Sequence, residues 1–362
     1  MGGKSAGVLQ ASWVQGTLQD RLVLGHALVI IQPTICSRID ATHGTPRSSS
    51  LSFTSCSSNH SNMLPSLVRL LPRASEPDPE DIFTSSLGLI FTDDTQCQHG
   101  GLDAQVIYKS RKFAKDITLT SAEPEGEIER RKFAHYVWNA GILMGELVGG
   151  RPGRVESDDM SLEDDRDWWL SETEQKAWDV AGETVLELGA GVGLGGILSA
   201  LAGASEVAIT DYPAPTILEA LKTNIAFNLP EKARRKTILA GHTWGSLQDD
   251  FSREHRGTYT RILAADCLWM PHEHHNLARS MLHFLSPADE ARVLVLAGFH
   301  TGRSNLAPFF EEVVPDEGLK VEEIWECDID GKRRDWDPLR EEEAGGERNK
   351  WLVVARLRRR KN

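Results

Sequence analysis

Residues 183–196 read Glu-Thr-Val-Leu-Glu-Leu-Gly-Ala-Gly-Val-Gly-Leu-Gly-Gly, and their order decides the fold. Val185, Leu186 and Leu188 make a short apolar β-type run that carries one acid, Glu187, and empties into Gly189, Gly191, Gly193 and Gly195. The stretch from Ile197 to Ala202 is apolar again. A strand, a glycine-rich turn and a helix start in this order is where an α/β sheet offers backbone N–H groups and a helix N-terminus to a ligand. Gly191-x-Gly193-x-x-Gly196 also satisfies the dinucleotide fingerprint. That fingerprint begins directly after its strand, and there the run is Gly189-x-Gly191-x-x-Leu194, which breaks it. An acid two residues before the first glycine, with glycines at every second position, suits a nucleoside bearing an amino acid better than a pyrophosphate.

Working outward, Glu206-Val-Ala-Ile-Thr-Asp211 reads as a second buried strand ending in an acid, 22 residues after Gly189. In a doubly wound sheet this acid hydrogen-bonds ribose hydroxyls. A purely structural alternative makes Asp211 the N-cap of a helix near 213–228, and Glu187 a surface acid at a strand end. Further strands are expected at 236–241, 260–266 and 292–299, with helical segments at 214–228, 272–286 and 304–314 between them. This alternation predicts a mostly parallel α/β sheet with helices on both faces. Two late β-like runs, 320–327 and 351–357, are expected to close it as a hairpin whose last strand is antiparallel.

The chain has 362 residues and a net charge of −13, unevenly spread. Residues 1–75 hold six basic and two acidic side chains, so the remainder carries −17. Eight of the fourteen residues at 48–61 are serine. Residues 1–78 are therefore expected to be a disordered leader. A mitochondrial presequence, and a true start at Met63, are the other readings. Residues 79–182 are expected to supply strands at 82–93, 105–112 and 117–120 and an amphipathic helix over 130–147, covering the ligand site. The nucleoside-binding core is expected over 183–358, and 359–362 as a solvated basic tail rather than a nucleic-acid contact. The five cysteines form no C-x-x-C pair, which fits a reducing, cytoplasmic compartment and no structural zinc. No apolar run reaches the 18 or so residues of a membrane span.

Two more constellations fall at strand ends, where open α/β sheets bind ligands. One is Gly241-His-Thr-Trp244-Gly245, whose ring is placed to stack on a base; the other is Asp266-Cys-Leu-Trp269, at the mouth. Together with Gly189–Gly196, Asp211 and the upstream Tyr136-Val-Trp138-Asn139-Ala140-Gly141, they resemble the family-16 seven-β-strand S-adenosylmethionine methyltransferases. Within that family the chain is similar to a fungal branch labelled nicotinamide N-methyltransferase-like or elongation-factor N-terminal/lysine methyltransferase-like. The resemblance covers about residues 79–358. It implies a Rossmann-like, seven-strand sheet and S-adenosylmethionine as cofactor. Glu187, Gly189 and Gly191 would surround its methionine part, Asp211 would hold the ribose, Trp244 would flank the adenine, and Trp138 would close the pocket. Asp266 and Trp269 match an acid-x-x-aromatic motif that orients an acceptor amine. The sequence departs from the branch after Trp269, where Met270-Pro271 replaces an Asn-His pair, and at His300-Thr-Gly-Arg303, where the branch has His-His-Arg.

The resemblance implies an N-methyltransferase acting on a lysine or α-amino group of a basic, elongation factor-like protein, as a monomer and without metal, membrane or nucleic acid. A small-molecule enzyme for nicotinamide or a related pyridine, and a non-catalytic cofactor-binding scaffold, are the alternatives. An oxidoreductase is disfavoured by the register of the glycines. His272, His274 and His275 are read as helix-surface histidines rather than metal ligands.

Overall fold

A computed structural model describes residues 64–72, 97–100, 104–122, 136–152, 168–341, 343 and 345–361. The chain enters through a 3-10 turn at Leu64–Leu67 and strand β1 (Val68–Pro72). Then come β2 (Gln98–His99), β3 (Ala104–Tyr108), β4 (Ile117–Leu119) and β5 (Val137–Trp138). Helices α1 (Asn139–Gly149) and α2 (Glu172–Trp178) lead into β6 (Thr184–Leu188), α3 (Leu194–Leu201) and β7 (Glu206–Asp211). Next are α4 (Pro215–Asn228), α5 (Glu231–Arg234), β8 (Thr237–Gly241), α6 (Asp250–Glu254) and β9 (Arg261–Ala265). Then follow α7 (His274–Phe284), β10 (Arg292–Gly298), α8 (Arg303–Pro308), β11 (Leu319–Asp328), β12 (Arg333–Asp335) and β13 (Trp351–Arg359).

The main sheet runs β12-β11-β13-β10-β9-β6-β7-β8. Strands β8, β7, β6, β9 and β10 are mutually parallel, and β13 lies antiparallel between β10 and β11. The chain winds from β6 outward to β8 and returns on the other side of β6 at β9. That reversal opens a crevice at the carboxyl ends of β6 and β9. The expected Rossmann-like sheet, with its last strand antiparallel, is present.

Pleating sorts the side chains of β6. Val185 packs with α1, α3 and α4, whereas Leu186 and Leu188 pack with α7 and the segment after α8. Two apolar layers thus cover opposite faces, as period-two alternation requires. Helix α1 is buried along almost its whole length, and it comes so close to α3 that a Cβ on Gly145 would stand 2.6 Å from Leu198 Cδ1.

Several expectations need correction. The helix expected over 130–147 begins at Asn139, because Val137–Trp138 instead pairs with Gln98–His99. Residues 64–72 belong to the fold rather than to a leader ending at 78: β1 pairs with β3, and Leu64 N–H bonds Ile329 O at 2.9 Å. The rest of the expected leader and the strand at 82–93 lie outside the described residues. The basic tail is not free. Arg359 donates to Leu285 O at 3.1 Å from within β13, Arg356 reaches Glu323 at 3.3 Å, and Lys361 pairs with Asp289 at 3.0 Å. The sheet also gains an eighth, short strand, β12. It has no apolar alternation to reveal it. Arg333 and Arg334 hold it through the faces of Trp325 and Trp351, with Cζ 3.7 and 3.5 Å from the ring centroids.

The small sheet β1-β3-β4 is fastened to the core by side chains acting as a strand partner. Asn224 of α4 accepts from Thr120 N–H at 2.8 Å and donates to Thr120 O at 2.9 Å. One turn later, Asn228 makes the same pair with Thr118, at 2.9 and 2.7 Å. Both amides are buried, so β4 has no bare edge on this side.

Candidate active site

A cavity of about 390 Å³ opens at the carboxyl edge of the parallel strands. Its walls come from the loops after β6 (Gly189–Gly195), β7 (Asp211, Tyr212), β8 (His242–Trp244), β9 (Asp266, Cys267, Trp269) and β10 (His300), with Trp138 from β5. Every residue expected to bind cofactor or acceptor lines this one cavity: Trp138, Glu187, Gly189, Gly191, Asp211, Trp244, Asp266 and Trp269. Among the described lining residues, besides the enclosed Glu187, there are three carboxylates, Asp211, Asp266 and Glu273, and no lysine or arginine. Such a wall favours a cation and repels phosphate.

Glu187 sits on the face of β6 that α3 covers. Its Oε1 accepts from Gly195 N–H at 3.0 Å and its Oε2 from Gly196 N–H at 2.9 Å. These are orphan donors of a helix N-terminus, the groups that hold pyrophosphate in dinucleotide folds. Here a carboxyl fills that anion site from within, which gives a physical reason to reject the dinucleotide reading. Glu187 therefore braces the loop while still lining the cavity. Burial pushes its pKa up to about 8, against the two hydrogen bonds, which pull it down.

The glycine loop bends tightly: Gly189, Gly191 and Gly193 all have positive φ. At Gly189 a Cβ would also meet Cys267 Sγ at 2.8 Å and Trp244 Cζ2 at 3.0 Å, so only glycine fits. Asp211 ends β7 with Oδ2 accepting from Gly191 N–H at 2.7 Å and Oδ1 from Tyr212 N–H at 2.6 Å. These two bonds fix the carboxylate in the wall of the cavity.

Trp244 follows His242, which is buried and spans two serines. Its Nε2 lies 2.9 Å from Ser280 Oγ, and its Nδ1 lies 3.4 Å from Ser252 Oγ. Ser280 Oγ accepts in turn from Gly245 N–H at 2.9 Å, which pins the Trp244 loop. Burial pushes the His242 pKa down to about 4, so the ring is neutral. Cys267 stays a thiol: burial, then Asp211, Asp266 and Glu187, push its pKa well up.

Asp266 has φ 58°, the one non-glycine residue in the left-handed region among those described. Such strain persists only where surroundings over-determine it. Asp266 N–H bonds Leu296 O at 2.7 Å, and Oδ1 accepts from Gly298 N–H at 3.0 Å. The carboxyl is thereby held at the mouth beside Trp269. His300, noted in the sequence only as a departure from a pattern, also enters the wall. Its ring stacks on Trp138 at 4.8 Å and 22°. Glu273, Met270 and Tyr136 line the cavity too, although no site role was expected for them. His274 is buried with Nε2 3.0 Å from Leu268 O, and His275 pairs with Glu317 at 2.8 Å. Among the described residues, no group of three His, Cys, Asp or Glu side chains could hold a metal ion. No described helix is long and apolar enough to cross a membrane.

A parallel sheet wound in this order, an acid-braced glycine loop, an acid ending the second core strand and a cation-favouring pocket are the features of an α/β methyltransferase. The sequence agrees: residues 125–314 match the lysine methyltransferase family, and the chain belongs to it, as an S-adenosylmethionine-dependent N-methyltransferase. It is similar to the protein N-terminal and lysine N-methyltransferase efm7 of Schizosaccharomyces pombe, 27% identical over 220 residues, covering 59% of this chain and 72% of that protein. The Aspergillus fumigatus protein of the same name is 28% identical over 236 residues, 60% of this chain and 87% of its own. The mouse protein N-lysine methyltransferase METTL21A is 37% identical over 113 residues, which span 31% of this chain and about half, 49%, of the mouse protein.

Proposed function

We propose that this chain transfers a methyl group from S-adenosylmethionine to an amine of a protein, a lysine side chain or an α-amino group. The observation that carries this reading is the single cavity in which Asp211, the glycine loop and the Asp266–Trp269 mouth meet without a cationic side chain among the described lining residues. A sulfonium donor and a cationic acceptor both suit that wall. The names of the similar proteins point to the same acceptor class.

The residues have separable tasks in this reading. Asp211, a carboxylate ending the second core strand, takes the ribose hydroxyls. Gly189 and Gly191 let the backbone approach the amino-acid part, and Trp244 and Trp138 wall the base and the donor sulfur. Asp266 and Trp269 aim the incoming nitrogen. The bound cofactor supplies an activated methyl, so alignment and exclusion of water make up most of the catalysis. A lysine amine is protonated at neutral pH, with a reference pKa of about 10.4, and a desolvating aromatic mouth favours its neutral form. The net charge of −13 steers a basic protein partner toward the chain.

The test is transfer of labelled methyl from S-adenosylmethionine into a hypomethylated cell extract, split into protein and small-molecule fractions, beside an Asp211→Ala control. Label in a discrete protein band that is absent from the control supports the reading. Label confined to small molecules overturns it in favour of a pyridine or similar acceptor.

A further inference from the structure

The amine has to lose a proton before it can attack, and the cavity wall holds three imidazoles, His242, His272 and His300. Both nitrogens of His242 face serine hydroxyls. His272 is three-quarters exposed at the rim, 4.0 Å from Glu273. His300 differs from both. Its side chain is 17% exposed, and Nδ1 is buried with no hydrogen-bond partner among the described residues. That nitrogen lies 3.8 Å from Asp266 Oδ1. Between them stands Gly298, where a Cβ would come within 3.0 Å of Nδ1 and 3.7 Å of Oδ1. The backbone therefore leaves this gap open. A buried polar atom without a partner is costly and uncommon, and here it faces a carboxylate across less than one water diameter of excess distance.

We infer that His300 is the proton acceptor for the substrate amine, with Asp266 setting its tautomer. This rests on the reading of the cavity as an amine-methylating site. Closing the 3.8 Å gap by about 1 Å turns it into a hydrogen bond from Nδ1–H to Oδ1, an adjustment of the size seen when catalytic groups tighten around substrate. With the proton on Nδ1, the lone pair is on Nε2. The ammonium N–H bond breaks, the proton forms an Nε2–H bond, and the imidazolium is held beside the Asp266 carboxylate. The neutral amine then forms its bond to the methyl carbon as the carbon–sulfur bond breaks and the sulfur keeps that electron pair. The proton leaves from Nε2 to solvent at the mouth. Asp266 orients the base and stabilises its cation, while the stack on Trp138 fixes the plane of the ring. Asp266 lies beside it, Tyr136, His272 and Glu273 share the cavity wall with it, and Arg348 reaches the His300 carbonyl at 3.3 Å.

Two measurements test the inference. In the full chain labelled with ¹⁵N-histidine, the ring signals assigned to His300 by their loss in H300F should report the Nδ1–H tautomer in the neutral form, and D266N should disturb it. An Nε2–H tautomer overturns the proposal without any assay of activity. In the second, H300F keeps an aromatic ring on Trp138 and removes the base. It should fold with an unchanged thermal midpoint and bind S-adenosylmethionine within about threefold of wild type by calorimetry. Its kcat on a protein acceptor should fall about a hundredfold near neutral pH, and recover as the pH approaches the pKa of the amine itself. H300Q should share this profile. A pH–rate curve parallel to wild type, at any level, refutes a proton-accepting role. If wild-type protein transfers methyl to no amine, the reading of the cavity fails instead, which is a distinguishable result.

Discussion

Glu187→Gln is the substitution that most directly tests how the glycine loop is built. Both carboxyl oxygens accept N–H bonds from the start of α3, at 3.0 and 2.9 Å, and the group is fully enclosed. Burial raises its pKa from 4.5 to about 8. The folded state thus holds a proton over a window in which the unfolded chain has released it. A group with a raised folded pKa contributes stability that is present in full below about pH 4.5 and is lost as pH rises through about 8. Each pH unit in that window is worth about 1.4 kcal/mol. Glutamine cannot titrate, and its amide places an NH₂ against one of the two N–H donors. The variant should therefore be less stable than wild type at pH 5, by about 1–3 kcal/mol for one unsatisfied buried donor. Between pH 5 and pH 8 the difference should shift by about 4 kcal/mol in favour of the variant. Urea unfolding of both proteins at four pH values, extrapolated to water, measures the difference, and every other titrating group cancels in it. A gap constant to within about 1 kcal/mol over that range would show that the helix N-terminus keeps Glu187 ionised, and would refute the argument from burial.

Further outcomes follow from other parts of the molecule. Asp211→Ala should weaken S-adenosylmethionine binding by about 1–3 kcal/mol in calorimetry, through loss of charge-assisted bonds to the ribose; unchanged affinity removes Asp211 from the site. Trp269→Ala should spare cofactor affinity and depress turnover on a protein acceptor, whereas equal loss of both would mean that the ring supports the fold. Asn224→Ala should cost about 1–3 kcal/mol in denaturant unfolding and also weaken cofactor binding, because the same amide bonds Thr120 of the small sheet and Val192 O of the glycine loop at 3.0 Å. His242 has its folded pKa lowered to about 4 from 6.5, so the unfolded chain binds the extra proton between those values. Its contribution is lost as pH falls through that window, by about 3 kcal/mol in total, and a His242→Asn variant should show a shallower acid limb in thermal unfolding.

Much of the core is legible in the sequence. Thr184–Leu188, Glu206–Asp211, Arg261–Ala265 and Arg292–Gly298 fall where β-type runs alternate with helical segments, and Pro215–Asn228 lies almost on its expected span. Their apolar runs and turn residues are local signals, and burial on both faces does not change them. The glycine loop was readable for a related reason: positive φ at Gly189, Gly191 and Gly193 is a requirement of single residues. Failures came where a partner decided the outcome. Arg333–Asp335 carries no pattern of its own and becomes a strand because Trp325 and Trp351 present ring faces to its arginines. Val137–Trp138 leaves the helix expected there because Gln98–His99 supplies backbone partners. The arginines near the C-terminus resembled a free tail, yet Arg356 meets Glu323, and Arg359 meets the carbonyl groups at the end of α7.

The sequence by itself determined the class of sheet, the strand that carries the glycine loop, and the acids at the ends of the second and fourth core strands. Tertiary structure decided which way those groups act. Glu187 turns to the helix N-terminus because pleating puts it on the face that α3 covers, so the acid at the cavity also braces the glycine loop. Asp266, His300 and Trp138 lie far apart in the chain and meet only because β9 and β10 are parallel neighbours whose carboxyl ends open beside β5. Local sequence records backbone preference and burial. Which side chains come within bonding distance depends on strand order and register, and these are settled only when the whole sheet packs.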